Sequence, residues 1–427
     1  MLSSFIFTRE TGLTHPHELR SAQLWRQYST LVRSELRYFP TRHSGTVNAL
    51  AVDPIHNRFM ISGGSDSRIL VWDLHSREGQ RHRYEIVGRV MPKTAHKYGI
   101  SCASWWPFDD GMFITSSFDE SVRVWDSSTL EDVYNFSIGA RVNAHDVSTI
   151  AEHCLVAVAA DCNPVRLVDL RSSAAAQILT GHEGTTVNAV KWSPTEPFML
   201  ASGGSDGTVR LWDIRRSNAC LTVLNLENTS LTSSSSSNVR RDVFSTSSSS
   251  ILSQVKSHRG VVNGLAFLAD GLKLVSTGTD ETIRVWSMTG ASEGFSNACY
   301  RNTLVNFGPL IRNRYLQCIN MVLTPVRDCA PQLLFYPNDN GDVLMFDVST
   351  GRLVRRLSIS RNMLKRTKGL TCRGSEFVEI FSGSSDGDII LWEAERSDTK
   401  RTRSMPQKRE NDNILTEIYK GIEYEGN

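Results

Sequence analysis

The side chains that first suggest chemistry are a hydroxyl, a histidine and an aspartate that recur together. His43 with Ser62 and Asp66, His96 with Thr115 and Asp119, His182 with Ser202 and Asp206, and His258 with Ser276 and Asp280 all hold the residue types of a hydrolase triad. An imidazole set between an acid and a hydroxyl can take the hydroxyl proton and create a nucleophile. Catalysis needs one such set, strained and exposed, whereas here there are four at near-constant spacing. Each also carries a tryptophan, Trp72, Trp125, Trp212 or Trp286, six residues after its aspartate. That regularity favours a structural role. Indole donates to hydroxyl, hydroxyl to histidine and histidine to aspartate, so that a buried unit satisfies its own polar groups. No residue is therefore assigned to catalysis. The loop Ser202-Gly-Gly-Ser-Asp-Gly207 resembles a phosphate cradle but lacks the following Lys-Ser/Thr and opens a strand, not a helix.

The elements that must position these residues are short strands. Ser62–Asp73, Ser202–Asp213 and Ser276–Trp286 superimpose without gaps, and Thr115–Asp126 and Ser382–Glu393 follow the same template, making five clear copies. Each reads as a strand, a tight turn holding Asp, and a second strand of alternating apolar residues that ends on Trp. Val168-Asp169, 43 residues after Trp125, and Phe346-Asp347, 60 after Trp286, occupy two further slots and bring the count to seven. In the Phe346 copy Tyr336 replaces the hydroxyl and Asn340 the turn Asp, which predicts a unit without the polar lock. A period of roughly 40 to 45 residues ending in Trp-Asp marks propeller blades. The expected fold is all-β, a seven-bladed WD-repeat β-propeller with a short N-terminal helical segment.

Residues outside the repeat point to partners. Trp212 and Trp286 lie 74 apart, and the surplus coincides with a serine-rich stretch at about 228–252, read as a disordered insertion open to phosphorylation or functionally neutral. Leu2, Phe5 and Ile6 share a helical face, Gly12 breaks the chain, and Thr14 or His15 caps a second helix with Pro16 in its first turn, reaching about Ser29. Such a segment fits a groove on another protein or packs on its own propeller. Leu31–Phe39 is strand-like and is expected to pair with the last blade, removing an open sheet edge. The division is thus 1–30 for docking, 31–395 for the propeller and 396–427 for a charged, disordered tail. The basic residues Lys400, Arg401, Arg403, Lys408 and Arg409 of that tail read as a solvated end or as a nuclear-import signal. Trp212-Asp213-Ile214-Arg215, with Arg216 after it, and the degenerate Val168-Asp169-Leu170-Arg171 place an arginine just beyond a strand, where it can grip a carboxylate or carbonyl. At the other end of the strands, Asn48, Ser101, Phe118, Asn188 and Asn263 lie beside the tetrad turns and are candidates to face a substrate at the channel mouth.

Composition narrows the class. With 40% hydrophobic and 22% charged residues and no apolar run of bilayer length, the chain reads as a globular protein with no membrane span. Met1–Phe7 is too short and too soon interrupted by Arg9 and Glu10 for a secretory leader, so Asn135-Phe-Ser and Asn228-Thr-Ser do not read as glycosylation sites. Eight cysteines are scattered without a Cys-x-x-Cys pair, suggesting neither zinc nor disulfides. No cofactor and no small-molecule substrate are expected. A net charge of +2 gives no reason to expect a strong grip on nucleic acid phosphates.

Several strings between the repeats are more specific. Thr8-Arg-Glu-Thr-Gly-Leu13, Trp106-Pro-Phe-Asp-Asp-Gly-Met-Phe-Ile-Thr115, His153-Cys-Leu-Val-Ala-Val158, Leu211-Trp-Asp-Ile-Arg-Arg216, Val262-Asn-Gly-Leu265 with Asp270-Gly-Leu272, and Asn302-Thr-Leu-Val-Asn-Phe-Gly308 resemble the Cockayne syndrome group A family. The resemblance covers about residues 5 to 395, with the serine stretch, 309–331 and the tail divergent. It implies a non-catalytic nuclear protein, the substrate receptor of a cullin–RING ubiquitin ligase in transcription-coupled nucleotide-excision repair. In that family an N-terminal helical segment enters a large damaged-DNA-binding adaptor. By motif, Leu13, Pro16, Leu19 and Arg20 with Asp169, Arg171, Asp213 and Arg215 become adaptor-side candidates, while the opposite face would recruit stalled-transcription and repair factors. Blade seven departs from the pattern, having Ser358–Gly369 where a Gly-His is expected. A general WD-repeat scaffold for histones or signalling proteins, with no ligase attached, is the competing reading.

Overall fold

In the computed structural model the described residues are 16–40, 42–75, 82–91, 95–162, 164–172, 174–182, 184–216, 219–226, 256–289, 299–324, 332–358, 365–374 and 377–395. Of two compact units, Met1–Ala394 holds the strands described below, and of Glu395–Asn427 only the first residue is described. The expected helical face at Leu2, Phe5 and Ile6, the serine-rich insertion, the tail and Leu13 all lie outside the described residues.

Strands form because each repeat alternates β-branched or aromatic residues with small ones and is punctuated by tight turns. Blade 1 is built from Val47–Val52, Phe59–Gly64, Ile69–Asp73 and Glu85–Val90, and blade 2 from Ile100–Trp105, Met112–Ser117, Ser121–Asp126 and Asp132–Ser137. Blade 3 comprises Val142–Val147, Leu155–Ala160, Val165–Asp169 and Ala174–Leu179; blade 4 comprises Val187–Trp192, Met199–Gly204, Val209–Asp213 and Cys220–Val223. Blade 5 follows with Val262–Phe267, Lys273–Gly278, Thr282–Thr289 and Cys299–Asn302, and blade 6 with Val322–Leu323, Leu333–Pro337, Val343–Asp347 and Leu353–Leu357. Blade 7 takes Thr367–Cys372, Glu379–Ser384 and Ile389–Ala394 from the end of the chain and its outermost strand, Leu31–Arg33, from the beginning.

The core is divided among the joints between blades. Ile61, Ile69 and Val71 of blade 1 meet Ile100, Phe113 and Trp125 of blade 2. Around the ring the same arrangement recurs, and Phe381, Ile389 and Leu391 of blade 7 meet Val47, Leu50 and Trp72 of blade 1. Closure leaves these side chains almost wholly dry, each burial contributing about 1.5–3 kcal/mol.

Leu31–Phe39 differs from the single strand expected. Pairing with blade 7 stops at Arg33, and Arg37–Tyr38 pairs in parallel with His82–Arg83 instead. Arg37 reaches Glu379 and Glu393 of blade 7, while the Phe39 ring stacks on Tyr84 at 4.6 Å and meets Trp72 edge-on. One short segment therefore bridges the last blade and the first.

Helix α1, Pro16–Ser29, begins at the proline, whose missing N–H is no loss in a first turn, and carries Glu18 near its start and Arg26 near its end. It ends where Ser29 and Thr30 hydroxyls donate to the Arg26 and Gln27 carbonyls. Ser21, Leu24, Trp25 and Tyr28 form its packed face against the joint of blades 6 and 7. The Tyr28 and Phe335 ring centroids are 5.8 Å apart.

Candidate functional site

The four repeated sets assemble as continuous hydrogen-bond chains. In blade 1 the Trp72 indole donates to Ser62 Oγ at 2.9 Å, Ser62 meets His43 Nε2 at 2.8 Å, and His43 Nδ1 meets Asp66 at 3.0 Å. Blade 2 repeats this through Trp125, Thr115, His96 and Asp119; blade 4 through Trp212, Ser202, His182 and Asp206; blade 5 through Trp286, Ser276, His258 and Asp280. All four hydroxyls are 0% exposed, so no substrate carbonyl can reach them. Burial lowers the His182 and His258 pKa values, against the pull of their aspartates, and keeps the rings neutral. Burial alone would raise the Asp66 carboxyl, but the His43 hydrogen bond and the Ser44 and Arg68 amides hold it down to about 2.

Sequence reasoning missed one member of the lock. Ser121, Thr208 and Thr282, two residues past the aspartate, donate to it at 2.6 to 2.8 Å and also approach the histidine. The signal was present as Asp-x-Ser/Thr in three copies.

The three other blades use different means. In blade 3 the four positions are Ile138, Val158, Cys162 and Val168, which join an apolar cluster. In blade 6 Tyr336 and Phe346 pack with Phe307, whose ring stands edge-on to Phe346 at 5.4 Å. Blade 7 keeps the Trp392–Ser382 bond at 2.8 Å, and Lys365 takes the place of histidine on Asp386 at 2.8 Å.

At the tetrad end of the strands two channel-mouth expectations need correction. Asn263 is 0% and Asn188 5% exposed, so neither faces a ligand. Asn263 donates to Asn313 and to the Tyr315 carbonyl, and Asn188 accepts from Asn143. The position is the second residue of an innermost strand, at a bulge, where the side chain becomes a stitch to a neighbouring segment of the ring. Asn48, only part-buried, does the same by donating to the Ile100 carbonyl at 2.8 Å. Ser101 pairs with Ser116 at 3.0 Å, and Phe118 is half-buried beside the blade 2 turn. Deeper in the channel, Lys191 pairs with Asp146 at 2.7 Å, and buried His145 bridges Ser104 and Ser116 at 2.8 Å each. Burial pushes His145 down to about 4. No cluster of metal-ligating side chains occurs among the described residues.

The opposite end carries the arginines. Asp213, 2% exposed, accepts from Arg215 at 3.0 Å on both carboxylate oxygens, and Arg216 lies 3.5 Å away. The Arg215 guanidinium also lies 5.0 Å from the Phe198 ring centre, yet half its side chain is exposed. Asp213 is thus a buried support for an exposed cation. In blade 3, Asp169 caps the Arg171 amide while the exposed Arg171 donates to the Glu152 carbonyl. Helix α1 approaches the same end, since it leads into Leu31 opposite Ala394 and Arg355 donates to the Ser29 carbonyl at 2.5 Å. Arg20 is exposed on it, whereas the side chains of Pro16 and Leu19 are not described.

Comparison with known proteins follows this division of blades. The family profile described as WD domain, G-beta repeat, matches residues 34–73, 89–126, 174–213 and 248–287, the four blades with complete tetrads. Over 90% of its length the chain is 29% identical to the WD repeat-containing protein ATCSA-1 of Arabidopsis thaliana, covering 93% of that protein. It is 26% identical to Radiation-sensitive protein 28 of Saccharomyces cerevisiae, over 66% of this chain and 56% of the other. A shorter region, 40% of the chain, is 31% identical to the Ribosome biogenesis protein WDR12 homolog of Chlamydomonas reinhardtii, over 43% of that protein.

Proposed function

The chain is a seven-bladed WD-repeat propeller that resembles the Cockayne syndrome group A family, and from that premise we propose that it is the substrate-recognition subunit of a cullin–RING ubiquitin ligase acting in transcription-coupled nucleotide-excision repair. The observation that carries the reading is the end of the propeller where Arg215, Arg171 and helix α1 meet solvent together. A guanidinium held by a buried carboxylate and an aromatic ring has already lost most of its rotamer freedom, so a partner's carboxylate or carbonyl gains a bidentate contact at small entropic cost. The damaged-DNA-binding adaptor docks there, and the tetrad end holds stalled-transcription and repair factors in the nucleus. Nothing in this role requires chemistry by the chain itself. A scaffold without a ligase is the second reading, favoured by the likeness of a shorter region to a ribosome biogenesis protein.

The test combines Arg215→Ala with removal of residues 1–15. Truncation at residue 30 would strip Tyr28 from the joint of blades 6 and 7 and confuse unfolding with undocking. The shorter truncation is expected to abolish co-purification of adaptor and cullin while leaving the melting curve intact. Undiminished capture, or wild-type complexes that contain no cullin, would favour the scaffold.

A further inference from the structure

At the tetrad end, one cation stands out because its neighbours are already matched. Arg366 pairs with Asp339 at 2.7 Å, Arg312 and Arg314 share Glu281 at 3.0 and 2.9 Å, Lys365 pairs with Asp386 at 2.8 Å, and Arg42 with Asp388 at 2.5 Å. Lys368 has no carboxylate within ion-pair distance among the described residues. It occupies the bulge position of blade 7, where blades 1, 3 and 5 carry Asn48, Asn143 and Asn263 as stitches. Among the described residues its ammonium reaches Asn48 Oδ1 alone, at a long 3.3 Å, and that amide is held in orientation by its bond to the Ile100 carbonyl. That contact uses one of the three ammonium donors.

Two residues earlier in the chain, Arg366 adjoins an apolar shelf. Arg366 lies over the Tyr315 ring at 3.8 Å, and Tyr315 and Leu316 remain 54% and 63% exposed. A half-buried cation without a direct ion pair among the described residues, two residues from an arginine that adjoins exposed apolar side chains, is complementary to one carboxylate flanked by an apolar group. A polyanion fits less well, because the surrounding guanidiniums are neutralised and give no continuous track for phosphates.

We propose that the channel mouth between blades 6, 7 and 1 binds a peptide segment by taking one Asp or Glu side chain onto Lys368 and laying the neighbouring apolar residue on Tyr315 and Leu316. Burial, with Arg366 close by, pushes the Lys368 pKa down to about 8 against the weaker pull of Asp339, and a docked carboxylate supplies the direct ion pair that Lys368 does not make among the described residues. The inference does not depend on a ligase at the opposite end.

The experiment is selection of peptides from a randomised decapeptide library on the full chain, in parallel with Lys368→Met. Wild type is expected to enrich Asp or Glu at one position next to an apolar residue, and changing that acid to Asn or Gln in a selected peptide weakens binding about tenfold, read by fluorescence anisotropy. Lys368→Met loses the acidic preference while melting no lower than wild type, since removing a partly desolvated ammonium that makes no direct ion pair among the described residues costs little. No enrichment, acidic enrichment that persists in Lys368→Met, or displacement of the peptide by an equimolar single-stranded 20-nucleotide DNA would each overturn the proposal. As a second measurement, an amine-reactive acetylating reagent at pH 7 labels Lys368 early, and the selected peptide protects it. Labelling unaffected by peptide counts against the assigned contact.

Discussion

Each tetrad histidine is held in a chain of donors and acceptors with few alternative partners, which sets how much a single deletion matters. In Asp206→Ala the fully buried His182 ring loses its carboxylate acceptor and keeps only the Thr208 hydroxyl, which loses its own acceptor. The expected loss is about 1–3 kcal/mol, read as a lower denaturation midpoint. An unchanged midpoint would mean that the chain of bonds is ornamental. At blade 3 the hydroxyl position is Val158, buried in an apolar cluster, so Val158→Ser is expected to destabilise by placing a hydroxyl among apolar side chains. The residue types of the locks could be inferred from their repetition alone, because a site that occurs in four copies at one spacing is part of the scaffold. The hydroxyl two residues past the aspartate escaped notice because its role depends on a turn that folds it back onto the carboxylate.

At the scale of elements, the turn between the second and third strands of a blade is where one blade presses on the next. Gly207 adopts φ +79°, and a Cβ there would stand 2.5 Å from the His258 carbonyl of the next blade. Ser67, Glu120 and Glu281 adopt a similar left-handed conformation without glycine. Gly207→Ala should therefore destabilise mainly by collision and not by φ alone, with a cost above about 1 kcal/mol, and melting curves would show it. The helix and its boundary at Ser29 could be read from Pro16 and the apolar spacing, but its destination could not, because an apolar face does not name its partner. The serine insertion is similar: Leu226 donates to the Lys256 carbonyl at 3.2 Å, so its flanks leave and re-enter the fold at one place.

For the whole molecule, ring closure and pH response are linked through the buried imidazoles. His145, His182 and His258 all have folded pKa values below the ordinary 6.5 because burial disfavours their charged forms. The unfolded chain then binds more protons as pH falls from 6.5 toward 4, so stability is full above that window and declines through it. The denaturant midpoint is expected to be lower at pH 5.5 than at pH 7.5; an equal or higher midpoint would contradict neutral, buried rings. The number of blades, their order and the chemistry of their locks were determined by the sequence itself, because alternation and turn residues act over a few positions and repeat at a fixed period. What covers the helix, which amides at the bulge position become stitches between blades, and which cation is left without a counter-ion were decided only by the tertiary structure. Each of these depends on residues distant in the chain being brought within a few ångströms, from 45 positions apart for Asn143 and Asn188 to 320 for Lys368 of the last blade and Asn48 of the first.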